Sequence, residues 1–418
     1  MHEKVLTVGL HRPQVSAQQF RKSLEELGRL IETAGGTVVR EISQSKPHPE
    51  PATFIGKGKA LEINQEIKDW GVNTVIFDDD LAPTQQKNLE KLISAKIIDR
   101  TRLILDIFAK RAHTKEGQLQ VELAQLNYLV PRLTGAWRGF SQQLGGIGTR
   151  GPGERKIEVE RRYVRERIKR LKKEIGNIRK HRERIRVNRE RVPLPQVALV
   201  GYTNVGKSTL LNTLVKDSEA VYADDKLFAT LDPTTRRVKL PHGRIVLCTD
   251  TVGFIQKLPH SLVAAFHATL EEISRAQLLV HLIDSSAEDR DNQVQTVLNV
   301  VRDLKADHLP MISVFNKADL LSKNQLEGLM EKGNLCVSGK TREGIPELLE
   351  RIERKLDETL LEVTFNLPHA KRKLLNNIYQ TGYVLKEEPL ETGTSFTIRI
   401  DRKNWSRINR ELQLNEIP

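Results

Sequence analysis

Apolar and polar positions change period several times along the chain, and the changes divide it into four stretches. Over residues 1–112, short β-branched runs at 5–10, 37–42, 72–77 and 97–99 alternate with helical patterns at 17–34, 58–69 and 84–94. That alternation predicts a small parallel sheet flanked by helices. From 113 to 192 the period is helical alone. Leu119, Leu123, Leu126, Val130 and Leu133 recur at steps of four, three, four and three. Ile157, Val164, Leu171, Ile178 and Ile185 fall every seventh residue, with Ile168 and Ile175 between them. Two a/d seams of this kind predict a helical hairpin. Gly176 sits inside its second helix, weakens it by about 1 kcal/mol and marks a candidate bend.

Residues 193–360 return to alternation. Parallel strands are expected at 197–202, 245–250, 278–284, 311–316 and 335–338, with 237–240 as an antiparallel edge. This is a doubly wound pattern. The tail, 361–418, shows one helical stretch (369–380) and two strand-like ones (383–387 and 395–400), a small α+β unit. The expected class is α/β throughout, with the hairpin inserted.

Charge changes this picture in one place. The 418 residues carry a net charge of +13. Residues 154–191 hold seventeen Lys or Arg against seven Glu, so one helix carries most of the excess. A surface of that density points to a polyanion, nucleic acid first; a solvated helix face is the plainer reading. The 134–153 connection between the two helices contains Gly135, Gly139, Gly145, Gly146, Gly148, Gly151 and Gly153. It also carries Trp137, Arg138, Phe140 and Arg150, a composition suited to phosphates and unstacked bases. With Arg155, Arg161 and Arg162 at the start of the second helix, these are the candidate RNA contacts, an unstructured linker being the alternative. No run of eighteen apolar residues and no leader pattern occurs, so neither a membrane span nor secretion is expected. Cys248 and Cys336 read as core residues of a reduced, cytoplasmic protein, and two cysteines cannot build a metal cluster.

Two smaller features stand apart. Gly56-Lys57-Gly58-Lys59 opens a helix where N–H groups could receive a phosphate, but without the spacing of a nucleotide motif it reads as a turn and cap. Asp78, Asp79 and Asp80 end a strand at the sheet edge where α/β ligands sit; capping and solubility are the stronger reading.

Three motifs in order carry the chemistry. Gly201, Tyr202, Thr203, Asn204, Val205, Gly206, Lys207 and Ser208 form a phosphate loop. Its glycines let backbone N–H groups curl round phosphates, Lys207 supplies a cation and Ser208 a hydroxyl for Mg2+. Asp250, Thr251, Val252 and Gly253 follow, then Asn316, Lys317, Ala318 and Asp319. Together they resemble the Ras-like class of P-loop GTPases. That resemblance implies that Asp319 accepts two hydrogen bonds from guanine, Asn316 braces the loop and the stem of Lys317 lies against the base. Adenine offers no such donor pair, so the site would select GTP over ATP.

A narrower resemblance covers nearly the whole chain. EGQLQVELAQL at 116–126, PRL at 131–133, GTRGPGE at 148–154, LFATLDPTTR at 227–236 and DTVGFI at 250–255 are similar to the HflX family of ribosome-associated GTPases. It implies GTP contacts from Phe228, Ala229, Thr230, Leu231 and Asp232, and from Ser338, Gly339 and Lys340, which departs mildly from the commoner Ser-Ala-Lys. Ser208 and Thr230 would ligate Mg2+ directly and Asp250 through water, with Gly253 meeting the γ-phosphate. Asn204 matches the asparagine that potassium-dependent relatives use to hold K+; loop stabilisation by its side chain is the even alternative. The partners implied are GTP/GDP and the large ribosomal subunit with its rRNA, where such proteins split stalled or idle ribosomes. The location implied is cytoplasmic, reaching membranes only through ribosomes. Subunit assembly, or a signalling GTPase docked by the basic helix on a protein or membrane, is the alternative. Phe254 stands where many signalling GTPases place a water-orienting Gln, so no catalytic residue is assigned and turnover alone is expected to be slow.

Overall fold

The structure, a computed structural model, describes residues 3–134, 152–189, 194–215, 227–228, 231–257, 267–358 and 360–412. Four strands, β1 (Glu3–His11), β2 (Gly36–Ser45), β3 (Thr74–Phe77) and β4 (Lys96–Asp99), pair in the order β2-β1-β3-β4, all parallel. β3 is buried along its whole length, as a central parallel strand requires. Helices α1 (Ala17–Ala34), α2 (Lys57–Trp70) and α3 (Pro83–Leu92) make the crossovers, and α4 (Arg100–Arg111) leaves β4. α1 shows why these segments start and stop where they do. Ser16 accepts from the Gln19 N–H (3.2 Å) while the Gln19 side chain returns to the Ser16 N–H (3.3 Å), and Gly35 ends the helix at φ 94°. Gly56 begins α2 with no side-chain cap, its N–H held by Gln44 (2.9 Å).

The hairpin pairs α5 (Lys115–Leu129) with α6 (Pro152–Arg189). Leu119, Leu123 and Leu171 are buried between them with Leu126, Ile168, Ile175 and Ile178 packed around, so both heptad seams meet. Arg167 clamps Glu122 with two bonds of 2.7 and 2.8 Å, fixing the register. α6 runs unbroken through Gly176 for 38 residues.

The second sheet contains β5 (Gln196–Gly201), β6 (Thr234–Lys239), β7 (Ile245–Asp250), β8 (Leu278–Asp284), β9 (Met311–Asn316) and β10 (Leu335–Cys336). Their order is β10-β9-β8-β5-β7-β6, with β6 the antiparallel edge. The order in which parallel strands are added reverses at β5, so the carboxyl end of β5 is the topological switch point and the place for a ligand. The phosphate loop leaves there and enters α7 (Lys207–Leu214). Cys248 and Cys336 are both buried in this unit, and burial pushes the Cys248 thiol up to about 12.

The tail departs from expectation. A first strand, β11 (Leu360–Pro368), joins β12 (Gly382–Leu390) and β13 (Gly393–Asp401) in the antiparallel order β11-β13-β12. A terminal helix, Arg402–Leu412, buries Trp405, Ile408 and Leu412 on that sheet. The clue to β11 was present: Leu361, Val363, Phe365 and Leu367 alternate with Glu362, Thr364 and Asn366. The apolar positions of the preceding helix, Leu348, Ile352 and Leu356, run directly into it and mask the change of period.

One core binds the two larger units. α1 and α4 contribute Leu24, Leu27, Ile104 and Phe108 to the same cluster as Val200, Leu211 and Phe254. The opposite face of the first sheet has its own core with α2 and α3.

Candidate functional site

Close contacts explain the glycines of the phosphate loop. A Cβ on Gly201 would lie 2.6 Å from the Leu282 carbonyl, and Gly206 adopts φ 89° with Asn316 Nδ2 2.5 Å from where a Cβ would stand. Asn316, ending β9, donates to the Val205 carbonyl (2.7 Å) and accepts from the Gly339 N–H (3.1 Å). Ser338 donates to Asp319 (2.6 Å) and accepts from the N–H groups of Lys340 (3.2 Å) and Thr341 (3.0 Å). The Ala318 N–H bonds the Val337 carbonyl (3.0 Å). Phosphate loop, 316–319 box and 338–340 turn therefore form one bonded unit. Lys317, at φ 63°, directs its ammonium to Asp284 at 2.8 Å. Asn204 (φ 59°) is exposed and makes no side-chain hydrogen bond among the described residues.

Lys207 is buried and donates to the carbonyls of Gly201 (3.2 Å) and Tyr202 (2.8 Å). Burial pushes its pKa down to about 8, against the pull of Asp250. His281, opposite Val200 on β8, is pushed down to about 4 by burial and then by Lys207, so it adds no second positive charge. Two linked outcomes follow. A polyphosphate would restore the ammonium, so nucleotide affinity should fall by up to about tenfold per pH unit above roughly pH 8. The folded pKa lies below the ordinary 10.5, so between about 8 and 10.5 the unfolded chain holds more protons. The nucleotide-free protein should gain stability there, as the cost of carrying a buried charge lapses. Titrating a fluorescent GDP analogue at pH 7, 8 and 9 checks the first; an affinity flat across that range would contradict it.

Ser208 Oγ donates to Asp250 Oδ2 (2.6 Å), and Asp250 is fully buried at the end of β7. Two hard oxygen donors meeting at one point fit Mg2+. Thr251 ties β7 to the Leu199 carbonyl (2.6 Å), and Val252 is buried. Gly253 lies against the loop: a Cβ there would stand 2.8 Å from Thr203 Cα, 2.9 Å from its methyl and 3.0 Å from the Lys207 ammonium. Phe254 is 1% exposed, and its backbone pairs with the loop through the Thr203 N–H (2.8 Å) and the Gly201 carbonyl (3.2 Å).

Three residues of the expected nucleotide set direct their side chains into the amino-terminal domain and hairpin. Phe228 packs edge-on to Phe108 of α4, centroids 4.6 Å apart. Asp232 accepts from the N–H groups of His113 (3.0 Å) and Thr114 (2.8 Å) and from the Thr114 hydroxyl, at the start of α5. The Tyr202 hydroxyl donates to Glu26 on α1 and accepts from the Gln256 N–H (2.8 Å). Leu231 is buried beside them, whereas Ala229 and Thr230 lie outside the described residues.

Glu26 belongs to a buried charge cluster. Arg100, 1% exposed, binds both Glu26 and Asp78, and Asp78 also accepts from Ser23 (2.6 Å) and Lys257. Lys257 reaches Asp79 as well (3.2 Å), and Arg12 stands 3.8 Å from Asp79. Asp80 accepts from the Thr101 hydroxyl. Asp78 and Asp79 thus anchor the segment after Gly253 through Lys257, while Asp80 ties the end of β3 to α4. Burial pushes the Glu26 carboxyl up, with Arg100 opposing it. For Arg100 burial acts downward, yet the two carboxylates outweigh it and hold the guanidinium above its ordinary value. Arg132 closes the base of the hairpin in the same way, bonding Asp99 (2.9 Å) and the Leu81 carbonyl (2.8 Å).

Among the RNA candidates, Arg161 is half-buried and Arg162 exposed. Arg155 lies within α6, and Trp137, Arg138, Phe140 and Arg150 lie outside the described residues. Among the described residues no helix is long and apolar enough to cross a membrane, and no group of three or more His, Cys, Asp or Glu could hold a metal.

Comparison with known proteins gives four successive family matches. They are a GTP-binding GTPase N-terminal region at 21–109 and a GTP-binding GTPase middle region at 111–189. A 50S ribosome-binding GTPase domain matches 196–317 and an HflX C-terminal domain 326–417. The GTPase HflX of Caldanaerobacter subterraneus subsp. tengcongensis is 47% identical over 91% of this chain and 88% of that protein. GTPase HflX of Escherichia coli (strain K12) is 40% identical over 93% of this chain and 92% of that protein. A GTP-binding protein from Sulfolobus solfataricus, solved with GDP, is 23% identical, covering 86% of this chain and 99% of that one at a TM-score of 0.43.

Proposed function

The chain belongs to the HflX family of GTPases, and we propose that it docks on the large ribosomal subunit through its basic hairpin and splits or remodels stalled ribosomes. It is a P-loop GTPase, and as such uses Mg2+ with its nucleotide. The observation that carries the ribosomal reading is the outer face of α6. Arg162, Arg165, Lys169, Arg170, Lys172, Lys173 and Lys180 are exposed there, with Tyr163 68% exposed among them. The apolar positions of α6 are spent on the seam with α5, which leaves no wide apolar face for a membrane. A rigid helix of 38 residues, extending on the order of 57 Å, suits a lever that acts through binding energy.

In this reading Ser208, Thr230 and Asp250 would hold Mg2+, and Lys207 and the Gly253 N–H would receive the γ-phosphate. Bound Mg2+ supplies charge neutralisation on the phosphates. Hydrolysis releases the segments around Thr230 and Gly253 and resets the protein. The buried ring of Phe254 cannot orient water, so turnover is slow alone and rises on the large subunit. Asn204, exposed and without a side-chain hydrogen bond among the described residues, would take K+. The protein works in the cytoplasm.

Sucrose-gradient cosedimentation tests the reading. With a GTP analogue at low salt the protein should travel with large subunits, and less with GDP. Binding should fall about 10³-fold or more between 50 and 200 mM salt if six or more phosphates are contacted. Failure to cosediment under any nucleotide at low salt would remove it. In the companion hydrolysis assay, large subunits should raise the rate, and exchange of K+ for Na+ should lower it.

A further inference from the structure

A carboxylate of the GTPase unit enters the first turn of the hairpin. Asp232 Oδ2 accepts the N–H groups of His113 (3.0 Å) and Thr114 (2.8 Å), and its Oδ1 accepts the Thr114 hydroxyl. Thr114 is the N-cap of α5, and its hydroxyl oxygen also accepts the Gly117 N–H (3.0 Å). Negative charge is favourable at a helix N-terminus. Gly117 makes the approach possible: a Cβ there would run into Asp232 Oδ1 and crowd the Thr114 hydroxyl at 3.1 Å. Each side of this contact leads further. Two residues after Asp232, β6 begins at Thr234, which lies opposite Asp250, and Thr235 meets Thr249 across the same strand pair (2.9 Å). Asp250 is the buried carboxylate that meets Ser208. On the other side, α5 is tied to α6 by the Leu119, Leu123 and Leu171 seam and by Glu122 on Arg167 (2.7 Å). A short bonded route therefore joins the Ser208–Asp250 pair to the basic helix, and Asp232 on Thr114 is its crossing between domains.

We propose that Asp232, Thr114 and Gly117 form a latch that couples nucleotide occupancy to the hairpin. Nucleotide with Mg2+ at Ser208 and Asp250 tightens the latch, and a closed latch tightens the nucleotide. The physical basis is shared ordering. A ligand that fixes Asp250 also fixes the start of β6 paired with it, so less freedom is lost when Asp232 enters the helix turn. Coupling of this kind is reciprocal: whatever factor the ligand adds to the latch, the latch adds to the ligand. A chain of contacts is a route only if a ligand at one end changes the other, and here that change is measurable. The latch concerns nucleotide binding by the protein alone and does not depend on ribosome docking.

The amides of His113 and Thr114 precede α5, so no intrahelical bond shields them and their hydrogen exchange reports the latch. In the full-length protein, Mg2+ with a non-hydrolysable GTP analogue should slow exchange at these two amides by about tenfold relative to the nucleotide-free state. Two variants then probe the contact from opposite sides. Gly117→Ala puts a methyl where the Asp232 oxygen stands and favours the helix; Thr114→Ala removes the hydroxyl donor and a helix cap. Their effects on α5 itself therefore have opposite signs. Both should nevertheless speed exchange at the two amides and weaken binding of the analogue, Gly117→Ala by about tenfold through the reciprocal coupling. Equal exchange in the empty and loaded parent protein overturns the proposal. So does a Gly117→Ala variant that binds the analogue within about twofold of the parent, less than coupled sites produce. Opposite shifts in the two variants overturn it as well, since binding would then follow helix stability. Loss of ribosome cosedimentation in the unmodified protein would overturn the ribosomal reading and leave these measurements intact.

Discussion

Asp319→Asn should lower GTP affinity by about 10³-fold or more and transfer it to xanthosine triphosphate. A carboxylate offers two acceptors to the two adjacent donors on the guanine edge. An amide offers one acceptor and one donor, so an N–H would face an N–H and both would lose a partner. Sites built to bond a polar edge reject the mismatched edge by about 10⁴–10⁵, which sets the scale. Xanthine carries an oxygen where guanine carries its amino group, and the same amide then fits. The carboxylate is held in a fixed position. The Ser338 hydroxyl holds one oxygen of Asp319 at 2.6 Å, and Asn316 binds the 338–340 turn to the phosphate loop. The 316–319 box, the 338–340 turn and the phosphate loop therefore share one frame. Titration of both triphosphates against the variant decides the matter; a GTP affinity within tenfold of the parent protein would refute the base assignment.

Asp78→Ala should destabilise the packing of α1 and α4 on the GTPase unit by about 3–5 kcal/mol, the cost of leaving buried charges uncompensated. Asp78 is 0% exposed at its side chain and faces Arg100 (1%) at 2.7 Å, with Lys257 on its second oxygen. Removing the carboxylate leaves Arg100 with Glu26 alone and Lys257 with the more exposed Asp79 alone. Removing both partners differs: Asp78→Leu with Arg100→Met takes away one charge of each sign but leaves Glu26 without its cation, so only part of the loss should return. Native-state hydrogen exchange of α1 and α4 reads the effect where it arises. If the single variant protects these helices as well as the parent protein does, the cluster contributes little and Phe228 on Phe108 carries the interface.

The seams of the hairpin, the parallel strands of the second sheet with their antiparallel edge, and the phosphate loop were all legible in the sequence. Each depends on residues close in sequence: a heptad, an apolar run, eight consecutive loop positions. The strand β11 was equally present in the alternation from Leu361 to Leu367 and was hidden only by the helix before it.

Asp78 was illegible for a different reason. Its partners lie 22 and 179 residues away, at Arg100 and Lys257, and no local pattern distinguishes a paired aspartate from a solvated one. Tyr202 and Asp232 show the same limit from the other side. Motif position places them at the nucleotide, yet their side chains reach Glu26 and Thr114, residues set by how the domains pack. The sequence by itself determined the nucleotide chemistry, because backbone geometry and donor sets are written in contiguous motifs. Only the tertiary structure decided that the loop and the segments beside it are gripped by the amino-terminal domain and hairpin. Burial and charge pairing depend on surfaces that meet after each domain has formed, and no contiguous stretch encodes them.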